Sequence, residues 1–417
     1  MENKIYLCID LKSFYASVEC VERGLDPYEV NLVVADPTRH GAITLAATPA
    51  IKKLGIPSRG RIYEIPKSIE YICAPPRMAL YMQYAAKIYA IFLKYTASED
   101  IHVYSIDESF LDITPYLKLY KKSAKEIAKM IVDNIYSNTG ITATVGIGTN
   151  LFLTKVALDI EAKHNLDNIG YLDEALFRQK YWHYKPLTDF WMIGKGTANR
   201  LALLGIDDMY GIAFCKPEIL YRIFGINAEI LIDHARGIET VTIADIKKYK
   251  PQANSLSNSQ ILFEDYSYQE AYLVMKEMVD SMTLQLVEKH VVTNLISLQI
   301  AYSKNIIKAN GGRKKINITT NSYNLLIEEF TSLYQRVVNK DYPIRQIAIS
   351  CGNVIDEYYE EYNLFTNLEE LEKEKKMQET VVEIRNKYGK NAILKGINYL
   401  DKATMRKRNT LIGGHNA

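Results

Sequence analysis

The chain has 417 residues, 48% hydrophobic and 24% charged, with 12 prolines and 21 glycines. That profile excludes a fibrous or disordered protein and leaves room for about two to four domains. Lys and Arg number 51 against 49 Asp and Glu, a formal charge of +2, so any contact with a polyanion falls to locally grouped bases.

Five dispersed cysteines (Cys8, Cys20, Cys73, Cys215 and Cys351) form no CxxC pair or Cys/His cluster. This argues against a zinc site or a disulfide framework and fits a reducing cytoplasm. No run reaches the roughly 18 apolar residues of a membrane span, and the first apolar run stops at Asp10, too early for a signal peptide.

Residues 4–9 are mostly apolar or β-branched, which predicts a short buried strand ending at Asp10. Ser13 then offers a helix N-cap ahead of helical spacing through Val21. Residues 24–77 predict short strands at 32–35, 42–46 and 70–74 between Pro and Gly, enough for a small insert. Met78 to Tyr95 repeats apolar residues at helical intervals.

Residues 101–106 and 109–113 predict a hairpin with Asp107-Glu108 at its tip. A helix over 123–137, a strand over 142–147 and a helix over 151–163 complete a βαββαβ order, the ferredoxin-like arrangement. From 189 to 239 short helices alternate with Gly. Residues 241–253 are polar and basic, and 255–355 alternate strands and helices as a separate α+β domain. The tail, with an acidic run near 369–374 and basic Arg406-Lys407-Arg408, predicts a helix with some disorder.

In a ferredoxin-like sheet the first strand lies beside the hairpin of the second and third, so Asp10 and Asp107 converge although 97 positions separate them. Paired Asp oxygens with Glu108 adjacent suit two hard divalent cations, one activating a hydroxyl nucleophile and the other clamping phosphates. Taken in isolation, Asp107-Glu108 also reads as an ordinary turn and Asp10 as a helix-start acid.

The stretches Ile9-Asp10-Leu11-Lys12-Ser13-Phe14-Tyr15-Ala16-Ser17-Val18-Glu19 and Tyr104-Ser105-Ile106-Asp107-Glu108-Ser109-Phe110-Leu111-Asp112 together resemble the Y-family, translesion DNA polymerases, in particular their UmuC-like (ImpB/MucB/SamB) branch. The resemblance runs over nearly the whole chain. It implies an α+β multidomain protein: a ferredoxin-like palm (1–23 and 78–170), a small fingers insert (24–77), a helical thumb with a helix-hairpin-helix (171–240), a linker (241–254), an α+β little finger (255–355) and a tail (356–417).

The resemblance further implies that Asp10, Asp107, Glu108 and the Leu11 carbonyl hold two Mg2+ ions. Tyr15 becomes the steric gate against a 2′-hydroxyl, with Phe14 beside it, and Lys155 a triphosphate contact. In the fingers the family often carries Tyr and Arg, where this chain has Pro49 and Lys52. Lys52 keeps the charge without the bidentate fork, and Thr48 offers a substitute donor.

Gly194-Lys195-Gly196 resembles a phosphate-binding hairpin turn and otherwise reads as a C-cap. Arg313-Lys314-Lys315, after Gly311-Gly312 and between strand-like runs, stands where the resemblance implies a grip on duplex backbone, and otherwise reads as a charged hairpin loop. Glu361-Tyr362-Asn363-Leu364-Phe365 is similar to a degenerate sliding-clamp peptide, or is an amphipathic element packed on the chain itself.

The implied partners are primer–template DNA, deoxynucleoside triphosphates and the clamp, for a monomeric cytoplasmic enzyme with no membrane association. Two rivals stand beside this reading, a DNA-bound accessory protein without catalysis and a palm-type nucleotidyl cyclase.

Overall fold

Tyr6-Leu7-Cys8-Ile9 is apolar at every position, which suits a central strand covered on both faces, and all four residues are buried. They begin strand β1 (Tyr6–Leu11) in a computed structural model that describes residues 4–38, 41–251, 254–303, 307–361 and 367–417. The chain divides into two units, Met1–Tyr249 with His415–Ala417 and Lys250–Gly414.

In the first unit β1 runs into helix α1 (Phe14–Glu22) through Ser13, held at φ 50. This left-handed turn is costly for a residue with a Cβ and makes a very tight strand-to-helix reversal. The segment after α1 folds as a small sheet in the order β3-β2-β4, from β2 (Leu32–Val34), β3 (Ala46–Ala47) and β4 (Ile72–Ala74), with the short helix α2 (Pro49–Lys53).

Helix α3 (Met78–Phe92) returns the chain to the main sheet, which adds β5 (Ile101–Val103) and β6 (Glu108–Asp112). Helix α4 (Thr114–Tyr120) leads to α5 (Ala124–Thr139), which Ser123 and Glu126 start with a reciprocal capping box. Strand β7 (Ala143–Gly148), helix α6 (Leu151–Val156) and strand β8 (Ile169–Leu172) complete the layer.

The sheet order is β5-β6-β1-β7-β8, with β1 antiparallel to both β6 and β7. This is the expected ferredoxin-like order with β8 added, parallel to β7. The helix expected over 151–163 is not uniform. It widens after α6 into a π turn (Ala157–Glu161) and closes with a 3-10 turn (Ala162–His164).

Helices α7 (Glu174–Tyr181), α8 (Lys195–Ala202), α9 (Met209–Phe214), α10 (Pro217–Phe224) and α11 (Asn227–Ala235) form the helical part of this unit. They pack around Phe177, Phe190, Leu201, Met209 and Leu220. Helix α12 (Ile243–Lys248) follows, so residues 243–248 read as linker are helical.

The second unit repeats the βαββαβ order with β9 (Leu256–Tyr266), α13 (Tyr268–Glu288), β10 (Val291–Tyr302), β11 (Asn310–Thr320), α14 (Tyr323–Val337) and β12 (Ile344–Gly352). Its sheet order differs: β11-β10-β12-β9 puts the first strand at an edge. Met275, Met278, Val279, Phe330 and Tyr334 of the two helices pack on Leu298, Ile300 and Ile347 of one sheet face.

Two expectations are corrected in this unit. Arg313-Lys314-Lys315 lie within β11, opposite Ser297, Ile296 and Leu295, and not in a hairpin loop. Gly311 belongs to the strand because a Cβ there would sit 2.4 Å from the Leu298 carbonyl oxygen, so the glycine permits close pairing rather than a turn.

The described tail, residues 367–417, is ordered rather than partly disordered. Helix α15 (Leu368–Tyr388) packs along α13. The buried Glu277 accepts from Asn398 Nδ2 at 2.9 Å and from the Thr404 amide at 2.7 Å, and Lys395 pairs with Asp280 at 2.7 Å. Two buried acids on α13 thus hold the tail in place.

Candidate active site

The β1–β6 register sets Asp10 opposite Glu108, and the Leu11 amide donates to the Asp107 carbonyl at 2.9 Å. Three carboxylates separated along the chain therefore meet at one end of the sheet. Burial, with Asp107 and Glu108 adding their charge against the opposing pull of Lys163 and Lys155, pushes the Asp10 carboxyl up to about 7.

Each of the other two acids is held by a neighbour. Asp107 accepts from the Ser105 hydroxyl at 2.6 Å. Glu108 accepts from the Cys8 thiol at 3.1 Å and from Lys155 Nζ at 2.9 Å. Among the described residues no three acidic, His or Cys side chains form a ready-made metal cage. The fit to a divalent cation lies instead in the donor set, hard oxygens only, and in the gathering of Asp107 and Glu108 around a buried Asp10.

Tyr15 begins one turn after this cluster, brought there by the Ser13 reversal. Its ring stacks on Tyr81 with centroids 4.4 Å apart. Tyr81 is anchored in turn, since its hydroxyl donates to the buried Glu19 at 2.8 Å and Arg77 binds the same carboxylate at 2.9 Å. Burial raises the Tyr15 phenol, with Asp107 adding to the rise and Arg59 opposing it. Phe14 is buried beneath, its centroid 5.7 Å from that of Tyr15, which makes it packing rather than an exposed contact.

The lysines sort differently from the sequence reading. Lys155 is buried and engaged by carboxylates, pairing with Glu108 at 2.8 Å and with Asp159 at 3.0 Å. Burial would lower its ammonium, but the charges of Cys8, Glu108 and Asp159 outweigh that and raise it. Gly146 and Gly148 let α6 come this close, because a Cβ on either would lie within 2.5 Å of the Thr154 backbone.

Lys163 was missed. It pairs with the other side of Asp159 at 2.9 Å, stays half exposed and is the largest charge acting on Asp10. The spacing Lys155, Asp159, Lys163 is a repeat of four on one predicted helix face, the signal that could have found it.

In the fingers, Lys52 Nζ donates to the Ser13 hydroxyl at 2.7 Å. Partial burial lowers its ammonium, with Asp10 opposing and Lys163 adding to the drop. Thr48 does not supply a free donor. It is fully buried, giving its hydroxyl proton to the Val30 carbonyl at 2.8 Å and accepting from the Leu32 amide at 3.0 Å. Pro49 starts α2.

Gly194, Lys195 and Gly196 are exposed at the start of α8, with nothing near a Cβ at either glycine. On β11, alternation exposes Arg313 and Lys315, while Lys314 turns to the opposite face and pairs with Glu329. Leu364 and Phe365 lie outside the described residues.

Comparison with known proteins bears on this geometry. The model of the impB/mucB/samB family matches residues 9–159, and that of the family's C-terminal domain matches residues 253–364. The putative UV-damage repair protein UvrX of Bacillus subtilis (strain 168) is 33% identical, over 99% of this chain and 98% of its own. DNA polymerase IV 2 of the same organism is 27% identical over 100% and 99%. Among solved structures, a Y-family DNA polymerase chimera of Dbh and Dpo4 matches with a TM-score of 0.66 at 22% identity, over 84% of this chain and 99% of that one, a likeness of fold.

Two predictions follow from the site's charges. Lys155→Met leaves the half-buried Glu108 without its cation, Asp159 keeping Lys163, and is expected to cost about 3 kcal/mol in chemical denaturation without divalent cation. Asp10 holds its proton to about pH 7 when folded but only to about pH 4 when unfolded, so it lowers metal-free stability as pH climbs between those values. Asp10→Asn is expected to raise the melting temperature of the metal-free protein at pH 8 while removing activity; an unchanged or lower melting temperature contradicts the assignment.

Proposed function

The chain belongs to the impB/mucB/samB family, the Y-family DNA polymerases, and on that premise we propose that it extends a primer 3′ end on a DNA template by metal-dependent nucleotidyl transfer. The observation that carries this reading is the β1–β6 pairing, which gathers Asp10, Asp107 and Glu108 beside Tyr15. Divalent cations, here two Mg2+ ions, supply the acidification of the primer hydroxyl and the neutralisation of the leaving pyrophosphate when bound.

Asp10, Asp107 and the Leu11 carbonyl are the residues to hold those ions. Glu108, paired with Lys155, joins them. Lys155 is a positioning residue behind the carboxylates. Lys163 and Lys52, both in electrostatic reach of Asp10, are the cations that face the nucleotide's phosphates. Tyr15, backed by Tyr81, filters the sugar by excluding a 2′-hydroxyl.

The substrates are deoxynucleoside triphosphates. The small fingers sheet, with strands of three, two and three residues, offers little surface to enforce base-pair shape, which suits low fidelity and tolerance of damaged templates.

Backbone amides around Gly194, Lys195 and Gly196 suit a DNA phosphate. The uncovered face of the C-terminal sheet, with Arg313 and Lys315 on it, suits the duplex. Leu364 and Phe365 remain the proposed clamp contact, and the enzyme is proposed to act as a monomer in the cytoplasm. Among the described residues no helix is long and apolar enough to cross a membrane.

Primer extension with magnesium on intact and abasic templates tests the proposal. Template-directed extension supports it, binding without extension favours an accessory protein, and nucleotide consumption without primer favours a cyclase. In the same assay Tyr15→Ala is expected to raise ribonucleotide use by roughly 10- to 100-fold. Lys163→Ala is expected to raise the apparent KM for nucleotide roughly tenfold, with Lys155→Ala distinguished by lost stability.

A further inference from the structure

The uncovered face of the C-terminal sheet has an unusual charge inventory. Strands β10, β11 and β12 contain no Asp or Glu, and β9 has them only at its end, Glu264 and Asp265. Along β9 the exposed side chains are Ser257, Ser259 and Ile261; opposite them lie Ser350, Ala348 and Gln346 of β12. Over β10, β11, β12 and residues 256–261 of β9 this face carries no negative charge, and the exposed Asp265 near the end of β9 pairs with Arg345. At its β11 edge stand Arg313 and Lys315.

The opposite edge, β9, supplies no exposed cation over 256–261 from its own sequence. The tail supplies them. Arg408 grips β9 from the helix-covered side, donating to Asn258 Oδ1 at 3.2 Å and bonding Gln260 Oε1. The adjacent Lys407 reaches the other side, its ammonium 4.3 Å from the centre of the Phe263 ring, a residue in step with the exposed Ser257, Ser259 and Ile261. Arg406 lies over Tyr399 at 4.6 Å.

Both Arg406 and Lys407 are exposed, and among the described residues neither has an acidic partner. Glu277 fixes the segment by accepting the Thr404 and Met405 amides at 2.7 and 3.2 Å. The cations are therefore held on a rigid mount rather than on a loose end.

We propose that Arg406 and Lys407 are a second phosphate-binding rail, so that duplex DNA lies across the open sheet with one backbone on the β11 cations and the other on the tail. The dimensions agree. Three inter-strand steps of about 4.8 Å separate β11 from β9, about 14 Å in all, against a major groove about 12 Å wide. The rail lies outside the matched family model, which ends at residue 364. It rests on the reading of the open face as the duplex seat, and the experiment separates the two.

Primer–template affinity is measured by fluorescence anisotropy over a salt series with the full chain. Arg406→Gln/Lys407→Gln is compared with Arg313→Gln/Lys315→Gln, and melting temperature is recorded for both. Loss of the rail is expected to weaken binding about tenfold and to reduce the slope of log K against log salt by about 1 to 2, at wild-type melting temperature. Wild-type affinity and slope in the tail variant, with weakened binding in the β11 variant, overturns the rail alone. Wild-type behaviour in both overturns the duplex seat as well. If the double variant melts early, Lys407→Gln alone must still lower the slope by about 1, and a wild-type slope overturns the rail.

Discussion

The pairing of β1 with β6 is the constraint from which the rest of the catalytic unit follows. One antiparallel register sets residue 10 against residue 108, and the neighbouring Leu11 amide locks onto the carbonyl of residue 107. A slip of one residue would turn Asp10 to the other sheet face and bring Ile9 or Leu11 to the acids. The buried run Tyr6-Leu7-Cys8-Ile9, covered on both faces, makes such a slip costly.

The acids gathered in this way repel one another, and the surrounding structure is arranged to tolerate that. Glu108 is compensated by Lys155, which shares Asp159 with Lys163, so a chain of alternating charges runs from the back of the cluster towards its open side. Asp10 stands outside the chain of close pairs, and burial, with the charges of Asp107 and Glu108 behind it, keeps its pKa raised. A site with this imbalance is less stable alone than with a bound cation, the usual balance between stability and function in an active site. Behind Tyr15 the same principle recurs, with Glu19 buried beside Tyr81 and neutralised by Arg77 and Arg23.

Much of this was legible in the sequence because the chemistry sits next to strongly patterned elements. Asp10 ends an apolar strand, Asp107-Glu108 interrupts a hairpin, and Tyr15 opens the following helix. What was not legible depends on tertiary contacts. Thr48 looked like a free hydroxyl, but the Val30 carbonyl takes its proton and the Leu32 amide of β2 donates to its lone pair.

The family resemblance implied that Lys155 contacts the triphosphate. Gly146 and Gly148 bring its helix down onto the sheet, which buries the ammonium against Glu108 and Asp159, while Lys163 stays half exposed. Arg313-Lys314-Lys315 also read as a charged hairpin loop, yet they lie within β11, where Gly311 serves close strand pairing. The charged tail looked loose, and only the buried Glu277 and Asp280, more than a hundred residues earlier, explain why it is ordered.

The most direct test of the central claim is a crystal of the chain with primer–template and a non-hydrolysable nucleotide, grown with manganese and read by anomalous scattering. The account predicts manganese peaks about 2 Å from carboxylate oxygens of both Asp10 and Asp107. Manganese bound elsewhere, with those two carboxylates left unligated beside the nucleotide, would contradict it.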